Sequence, residues 1–213
     1  MRLLSVNVSQ PIAVEIGDQR YHTGIYKSAV AGRLWLGRAQ LAGDGQADME
    51  NHGGPNRAVY CYPHEHYAYW SIQLGRDDFE YGQFGENLTT QGLLEKAVCV
   101  GDAFQVGEAI IQITQPRVPC YKLANKLEIP DFAKTFLQAN LSGFYARVLE
   151  EGSVGAGDAI LPLQKDPVGM TVAEVNAALY LDKGDRAAVE RALQIEALSP
   201  GWRRSFEKLL TRA

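Results

Sequence analysis

Ala103-Phe104-Gln105-Val106-Gly107-Glu108-Ala109-Ile110-Ile111-Gln112-Ile113-Thr114 reads as two short strands folded back on each other. Apolar, β-branched and aromatic residues fill both halves. The two-residue Gly107-Glu108 loop puts glycine first, where a type II′ hairpin turn needs a positive φ. Outward from this hairpin the same pattern continues. Gly-Asp, Gly-Gly and Pro signals separate short runs such as Ala58-Val59-Tyr60-Cys61-Tyr62, and Met1 to Gln10 alternates polar and apolar residues as a first strand. Gly101-Asp102-Ala103 recurs as Gly157-Asp158-Ala159, which predicts two similar strand entries. The pattern is that of a mainly β domain, a barrel or a sandwich, over residues 1–165.

Two helices are predicted inside that domain. One runs from Pro63 to about Leu74, where Tyr67, Trp70 and Leu74 recur at helical spacing, and one from Asp131 to about Gln138. After Asp166-Pro167 the character changes. Thr171-Val172-Ala173-Glu174 is a capping box, Asp185 can cap a second helix through Leu198, and Ser199-Pro200 opens a third to about Leu210. Residues 166–213 are therefore expected to form a three-helix subdomain, too small to hold much core of its own and so packed on the β domain or a partner.

Composition narrows the function classes. With 213 residues, 46% hydrophobic and 22% charged, the chain can bury a core without staples. A net charge of −4 gives no footprint for a nucleic acid polymer or an anionic membrane. No apolar run approaches the roughly 18 residues of a membrane span, and the opening lacks a signal peptide's apolar segment. Cys61, Cys99 and Cys120 are odd in number and far apart, so a disulfide framework is not expected and a cytoplasmic location is.

Cys120 is the cysteine with chemical promise. Thr114-Gln115-Pro116-Arg117-Val118-Pro119-Cys120-Tyr121-Lys122-Leu123 leaves a strand, and its two prolines stiffen a loop that holds the thiol. Arg117 and Lys122 bring positive charge, which favours the thiolate, the form that is both nucleophile and metal ligand. Cys61 and Cys99 read instead as small hydrophobes inside apolar strands. A second constellation runs from Asp48 through His52, Gly53, Gly54 and Pro55 to Arg57, where paired glycines let a backbone approach a ligand closely. It is not a Walker loop, and composition alone favours reading the Gly-Gly-Pro as a plain turn. Lys27 with Ser28 beside Gly24, Glu86 with Asn87 after Gly85, and Arg147 after Gly143 add groups suited to anions or polar edges. Zinc is not expected, because His64 and His66 are two apart and would not share a helix face.

Taken in order, Gly24-Ile25-Tyr26-Lys27-Ser28, Gly43 to Asp48, His52-Gly53-Gly54-Pro55, Phe84-Gly85-Glu86-Asn87-Leu88, Pro116 to Cys120 and Gly143 to Val148 resemble the MOSC domain, in its YiiM-like form with a C-terminal three-helix domain. The resemblance implies a closed, mainly antiparallel β-barrel related to the pyruvate-kinase barrel domain, in a bacterial protein. It further implies a molybdenum cofactor, a pterin carrying the metal, with Cys120 as metal ligand. The implied activity is reduction of N-hydroxylated compounds such as 6-hydroxylaminopurine, fed by a separate flavoprotein electron donor; a homodimer is also implied. Lys27, Ser28, Arg57, Arg117 and Arg147 are then candidates to hold the cofactor phosphate. Gly53 and Gly54 would face the flat pterin, and Asp48 and Asn87 its hydrogen-bonding edge. His52 or Glu86 would deliver a proton, His52 by virtue of an ordinary pKa near neutrality. Two other readings compete: a carrier of molybdenum cofactor or sulfur without turnover, and a metal-free enzyme with Cys120 as nucleophile and His52 as base.

Overall fold

A computed structural model describes residues 1–16, 19–47, 53–182 and 184–212. The chain opens with β1 (Arg2–Val8), β2 (Ile12–Ile16), β3 (Gln19–Thr23), β4 (Ser28–Ala29) and β5 (Arg33–Leu36). A 3-10 turn at Pro55–Arg57 leads into β6 (Val59–Pro63), α1 (Glu65–Leu74) and β7 (Leu88–Gln91). The predicted hairpin follows as β8 (Ala103–Val106) and β9 (Ala109–Pro116), then α2 (Tyr121–Leu127) and α3 (Phe132–Gln138). After β10 (Phe144–Glu150), β11 (Gly152–Gly155) and β12 (Ile160–Gln164), the chain ends in α4 (Val172–Tyr180), α5 (Arg186–Ala192) and α6 (Pro200–Arg212). Among the described residues no helix is long and apolar enough to cross a membrane.

The hairpin forms as its sequence dictates. Val106 pairs with Ala109, and Gly107 takes φ +57° between them. The two Gly-Asp strand entries are built alike. Gly101 and Gly157 take φ +100° and +96°. In each, the following aspartate accepts a hydrogen bond from a backbone N–H three residues upstream: Cys99 N to Asp102 at 3.0 Å and Gly155 N to Asp158 at 2.8 Å. Cys99 itself lies in the turn before β8, half-buried and bridged to Thr171, not inside the apolar strand its neighbours suggest.

The main sheet has eight strands in the order β12-β8-β9-β10-β6-β7-β1-β4, with β5/β11 and β2/β3 as separate ribbons. Its pairs are antiparallel except β6 with β7, which run parallel because α1 and the loop after it carry the chain back across. The closed antiparallel barrel expected from the resemblance is not what the ladder forms. Between β1 and the turn before β12 there is one isolated bridge, Arg2 with Ala159, with backbone bonds from Leu3 N to Asp158 O and from Gly157 N to Leu3 O at 2.9 and 2.8 Å. Ile160 N–H also donates to Met1 O at 3.0 Å, but among the described residues there is no ladder between the two strands, and β12 pairs along its length with β8 instead.

Two cores hold the structure. The larger one joins the sheet to the C-terminal helices: Ile111, Ile113 and Phe144 share it with Val175, Leu179, Trp202 and Phe206. The helices thus complete the core of the β domain, as their small size requires. Thr171 and Glu174 form the predicted capping box, and Asp185 accepts from Ala188 N at 2.9 Å. The helix capped by Asp185 stops at Ala192, short of the expected Leu198. The smaller core is aromatic and sits under α1 to α3. Trp70, Phe84, Phe132 and Phe136 are fully buried there, and Trp70 donates its indole N–H to Tyr62 at 2.7 Å. Each such ring contributes about 1.5–3 kcal/mol on burial. Helix α2 has no clear periodicity in the sequence, and it begins directly after Cys120.

Candidate functional site

The segment after β9 is pinned before it reaches the thiol. Arg117 donates its backbone N–H to Gly143 O at 3.0 Å, and Ser142 donates its hydroxyl to Arg117 O at 2.8 Å. Val118 and Pro119 then deliver Cys120 in extended conformation as the cap residue of α2, and Leu123 N–H donates to Cys120 O at 3.0 Å. Cys120 is half-buried and lines a cleft of about 740 Å³ that opens to solvent.

Arg117 lines the same cleft from beneath. Its guanidinium lies over the rings of Tyr60 and Phe136, 5.1 and 5.5 Å from their centroids. Its Nη1 is buried with no hydrogen-bond partner among the described residues. A buried cationic donor without a partner is costly unless something else completes it. Lys27 is the opposite case. It forms an almost fully buried ion pair with Asp44, which also accepts from Asn87 at 2.8 Å and from Ser9 N at 2.9 Å. Burial lowers the Lys27 pKa, and Asp44 pulls it part of the way back. Lys126 on α2 stands behind them, donating to Gly82 O at 2.7 Å and to Ile25 O at 3.2 Å. Burial lowers its pKa to about 8, against an opposing pull from Glu86 and with a further push from Lys27 and Arg117. Lys122 reaches the cleft while donating to His22 O at 3.1 Å.

Close backbone approach shapes the wall, at glycines other than the pair singled out in the sequence. A Cβ at Gly24 would lie 2.6 Å from Gly45 O, and one at Gly85 would lie 2.6 Å from an Ile25 side-chain carbon. All three glycines border the cleft.

Of the residues named from the sequence, Cys120, Lys27, Arg57, Arg117 and Asn87 line this cleft. Asn87 does so with its amide engaged, accepting from Tyr60 N and donating to Asp44 and Asn7 O. Five others are placed elsewhere. Glu86 is wholly buried behind the wall, where Tyr67, Thr89 and the backbone N–H groups of Gly82 and Phe84 all donate to its carboxylate. That carboxylate is a structural acceptor, out of reach of a substrate in the cleft. Ser28 is exposed in β4 and does not line the cleft. Gly53 and Gly54 do not line it either; Gly54 N–H instead donates at 3.0 Å to Gln46, which does. Arg147 donates at 2.6 Å to Ala197 O and so ties β10 to the segment before α6. Asp48 and His52 lie outside the described residues. Asp44, Gln46 and Tyr145 also line the cleft, beyond the site residues expected from the sequence; for Asp44 the local signal is a carboxylate between two glycines, Gly43 and Gly45.

A Cys-bearing loop on a mainly β domain, facing a glycine-walled cationic cleft, defines a protein of the MOSC class: the family model for the MOSC domain matches residues 48–161, and the chain belongs to that family. A second model, the YiiM-like 3-alpha helix domain, matches residues 170–213. The uncharacterized protein YflK of Bacillus subtilis (strain 168) is 43% identical over 97% of this chain and 93% of its own. Protein YiiM of Escherichia coli (strain K12) is 40% identical over 93% and 91%. A protein named Reductase from Gibberella moniliformis (strain M3125 / FGSC 7600) is 32% identical over 67% of this chain and 26% of its own. The crystal structure of YiiM from Geobacillus stearothermophilus superposes with a TM-score of 0.84 at 36% identity, covering 98% of each chain.

Proposed function

We propose that the cationic cleft holds a molybdenum pterin cofactor, with Cys120 as thiolate ligand to the metal, and that the protein reduces N-hydroxylated small molecules such as 6-hydroxylaminopurine. The observation that carries this reading is Arg117: a buried guanidinium with an unpartnered Nη1, on the wall of the cleft that Cys120 also lines. The donor set fits the group. A soft thiolate suits molybdenum, and Arg117, Lys122 and Arg57 supply positive charge and N–H donors for an anionic phosphate. Lys27 is neutralised by Asp44 and serves to shape the wall.

When bound, the cofactor supplies a centre that passes two electrons at once. The chain's residues do the rest. The pinned Arg117-to-Cys120 loop fixes the thiol's position, and the aromatic rings beneath Arg117 keep water from its buried face. His52 is the proposed proton donor on sequence grounds, since the Glu86 carboxylate has its lone pairs committed to four protein donors. A separate flavoprotein is the proposed electron source. The reductase name of the fungal relative supports the direction of the chemistry.

Expression in a host that makes the cofactor tests the reading. Molybdenum per chain and turnover of 6-hydroxylaminopurine with a chemical reductant are measured together, for the natural protein and for Cys120→Ala. Metal-dependent turnover that the substitution abolishes supports the reductase. Bound cofactor without turnover under any donor would make the protein a carrier, and turnover without molybdenum would make it a cysteine enzyme.

A further inference from the structure

The loop that presents Cys120 has a second side. Arg57, Val118, Cys120 and Tyr145 line both the cationic cleft and a neighbouring one of about 770 Å³. Strands β9 and β10 form one wall of this second cleft, and the end of α4 with the first turns of α6 forms the other. Its chemistry is different. Tyr145, Tyr180 and Trp202 give it aromatic surface, with Tyr180 and Trp202 meeting edge to face at 5.7 Å, and no lysine lines it among the described residues. On its β9 wall stands Gln115, 2% exposed, whose Oε1 is buried with no hydrogen-bond partner among the described residues. A buried amide oxygen left this way costs stability until a donor meets it.

We propose that this second cleft is the substrate subsite, with Gln115 as its specificity-determining residue and the C-terminal helices as its outer wall. The lining suits the planar substrate of the proposed function. Aromatic surface takes a planar ring, and a primary amide accepts from one N–H while donating to an adjacent ring nitrogen, the paired contact that glutamine makes with an aminopurine edge. Cys120 lines this cleft as well as the cationic one, so a ring held by Gln115 lies in the same cleft as the sulfur. This gives the three-helix domain a role in the site: Trp202 and Tyr180 come from it. The inference rests on the proposed function for the aminopurine class and for Cys120 as the reacting end.

The probe is adenine, a redox-inert aminopurine, titrated against the full chain while tryptophan fluorescence is followed. Saturable quenching is expected, and it should vanish in Trp202→Phe. Gln115→Leu, close in volume, should raise Kd by about tenfold, the effect of one lost hydrogen bond to a buried partner. Tyr180→Leu should weaken binding severalfold. Lys134→Ala, an exposed cation on α3 that lines neither cleft, should leave Kd within about twofold. Absence of adenine binding, unchanged affinity in Gln115→Leu, or quenching that persists in Trp202→Phe would overturn the proposal. Molybdenum content, measured on the same preparations, separates the two readings. Adenine binding that depends on Gln115 in protein unable to take up molybdenum keeps the subsite and removes the cofactor reading. Normal molybdenum content with adenine binding indifferent to Gln115 does the reverse.

Discussion

Two buried cations stand in one cleft and are treated in opposite ways. Lys27 is met by Asp44, and Asp44 is itself held by Asn87 and the Ser9 N–H, so the pair is complete without any ligand. Arg117 has aromatic faces and an unpartnered Nη1. A cation that the fold itself neutralises shapes a wall, whereas one left incomplete marks where an anion from outside would lower the energy. The difference separates support from binding within residues that composition alone would group together.

Breaking the complete pair should have the largest effect. Asp44→Ala strands the Lys27 ammonium in a buried setting and removes one of the acceptors of the Asn87 amide, and is expected to cost about 3–5 kcal/mol of stability in a urea titration. A loss under about 1 kcal/mol would mean that the pair is solvated and the contrast with Arg117 is false.

Lys126 sharpens the same point through pH. Its pKa in the fold is about 8, lowered by burial. An unfolded chain holds that proton up to about pH 10.4. Between these values the unfolded state binds more protons, so stability rises with pH; below pH 8 the full cost of burying the charge is present. Lys126 is expected to contribute a gain on the order of 2 kcal/mol between pH 8 and 10, and Lys126→Met should lose that part of the rise. Equal pH profiles for the two proteins would place Lys126 in solvent.

Removing the incomplete cation should affect stability least and with the opposite sign. Arg117→Met replaces a buried charge by an apolar chain of similar length, so cofactor-free protein should be unchanged or more stable by about 1 kcal/mol. The same protein should lose molybdenum. Destabilisation by more than about 2 kcal/mol would instead show Arg117 already satisfied within the fold.

What the sequence disclosed is what depends on near neighbours. The β8–β9 hairpin, the Gly-Asp strand entries and the caps at Thr171 and Asp185 are each set by residues within a few positions, and all formed as read. Local misreadings were few, such as the helix after Asp185 ending at Ala192 and Cys99 lying in a turn; the larger failures depend on contacts made in the fold. Whether the sheet closes depends on how far the pairing of β1 with the segment before β12 extends, over a separation of more than 150 residues. Glu86 looked available beside Gly85, yet donors from Tyr67 and Thr89 close around it. Arg147 looked suited to phosphate and instead reaches Ala197 across the domain junction. Nothing local to Lys27 announces Asp44, and nothing local to Arg117 announces that its surroundings are two aromatic rings. The cysteine was legible because its own neighbours, two prolines and an arginine, build its loop.

The most direct test of the account is X-ray absorption at the molybdenum edge, comparing the loaded natural protein with loaded Cys120→Ser. The account predicts one sulfur scatterer fewer around the metal in the substituted protein, with the cofactor still present. An unchanged sulfur shell would contradict it, because the thiol at the head of α2 would then not be a ligand.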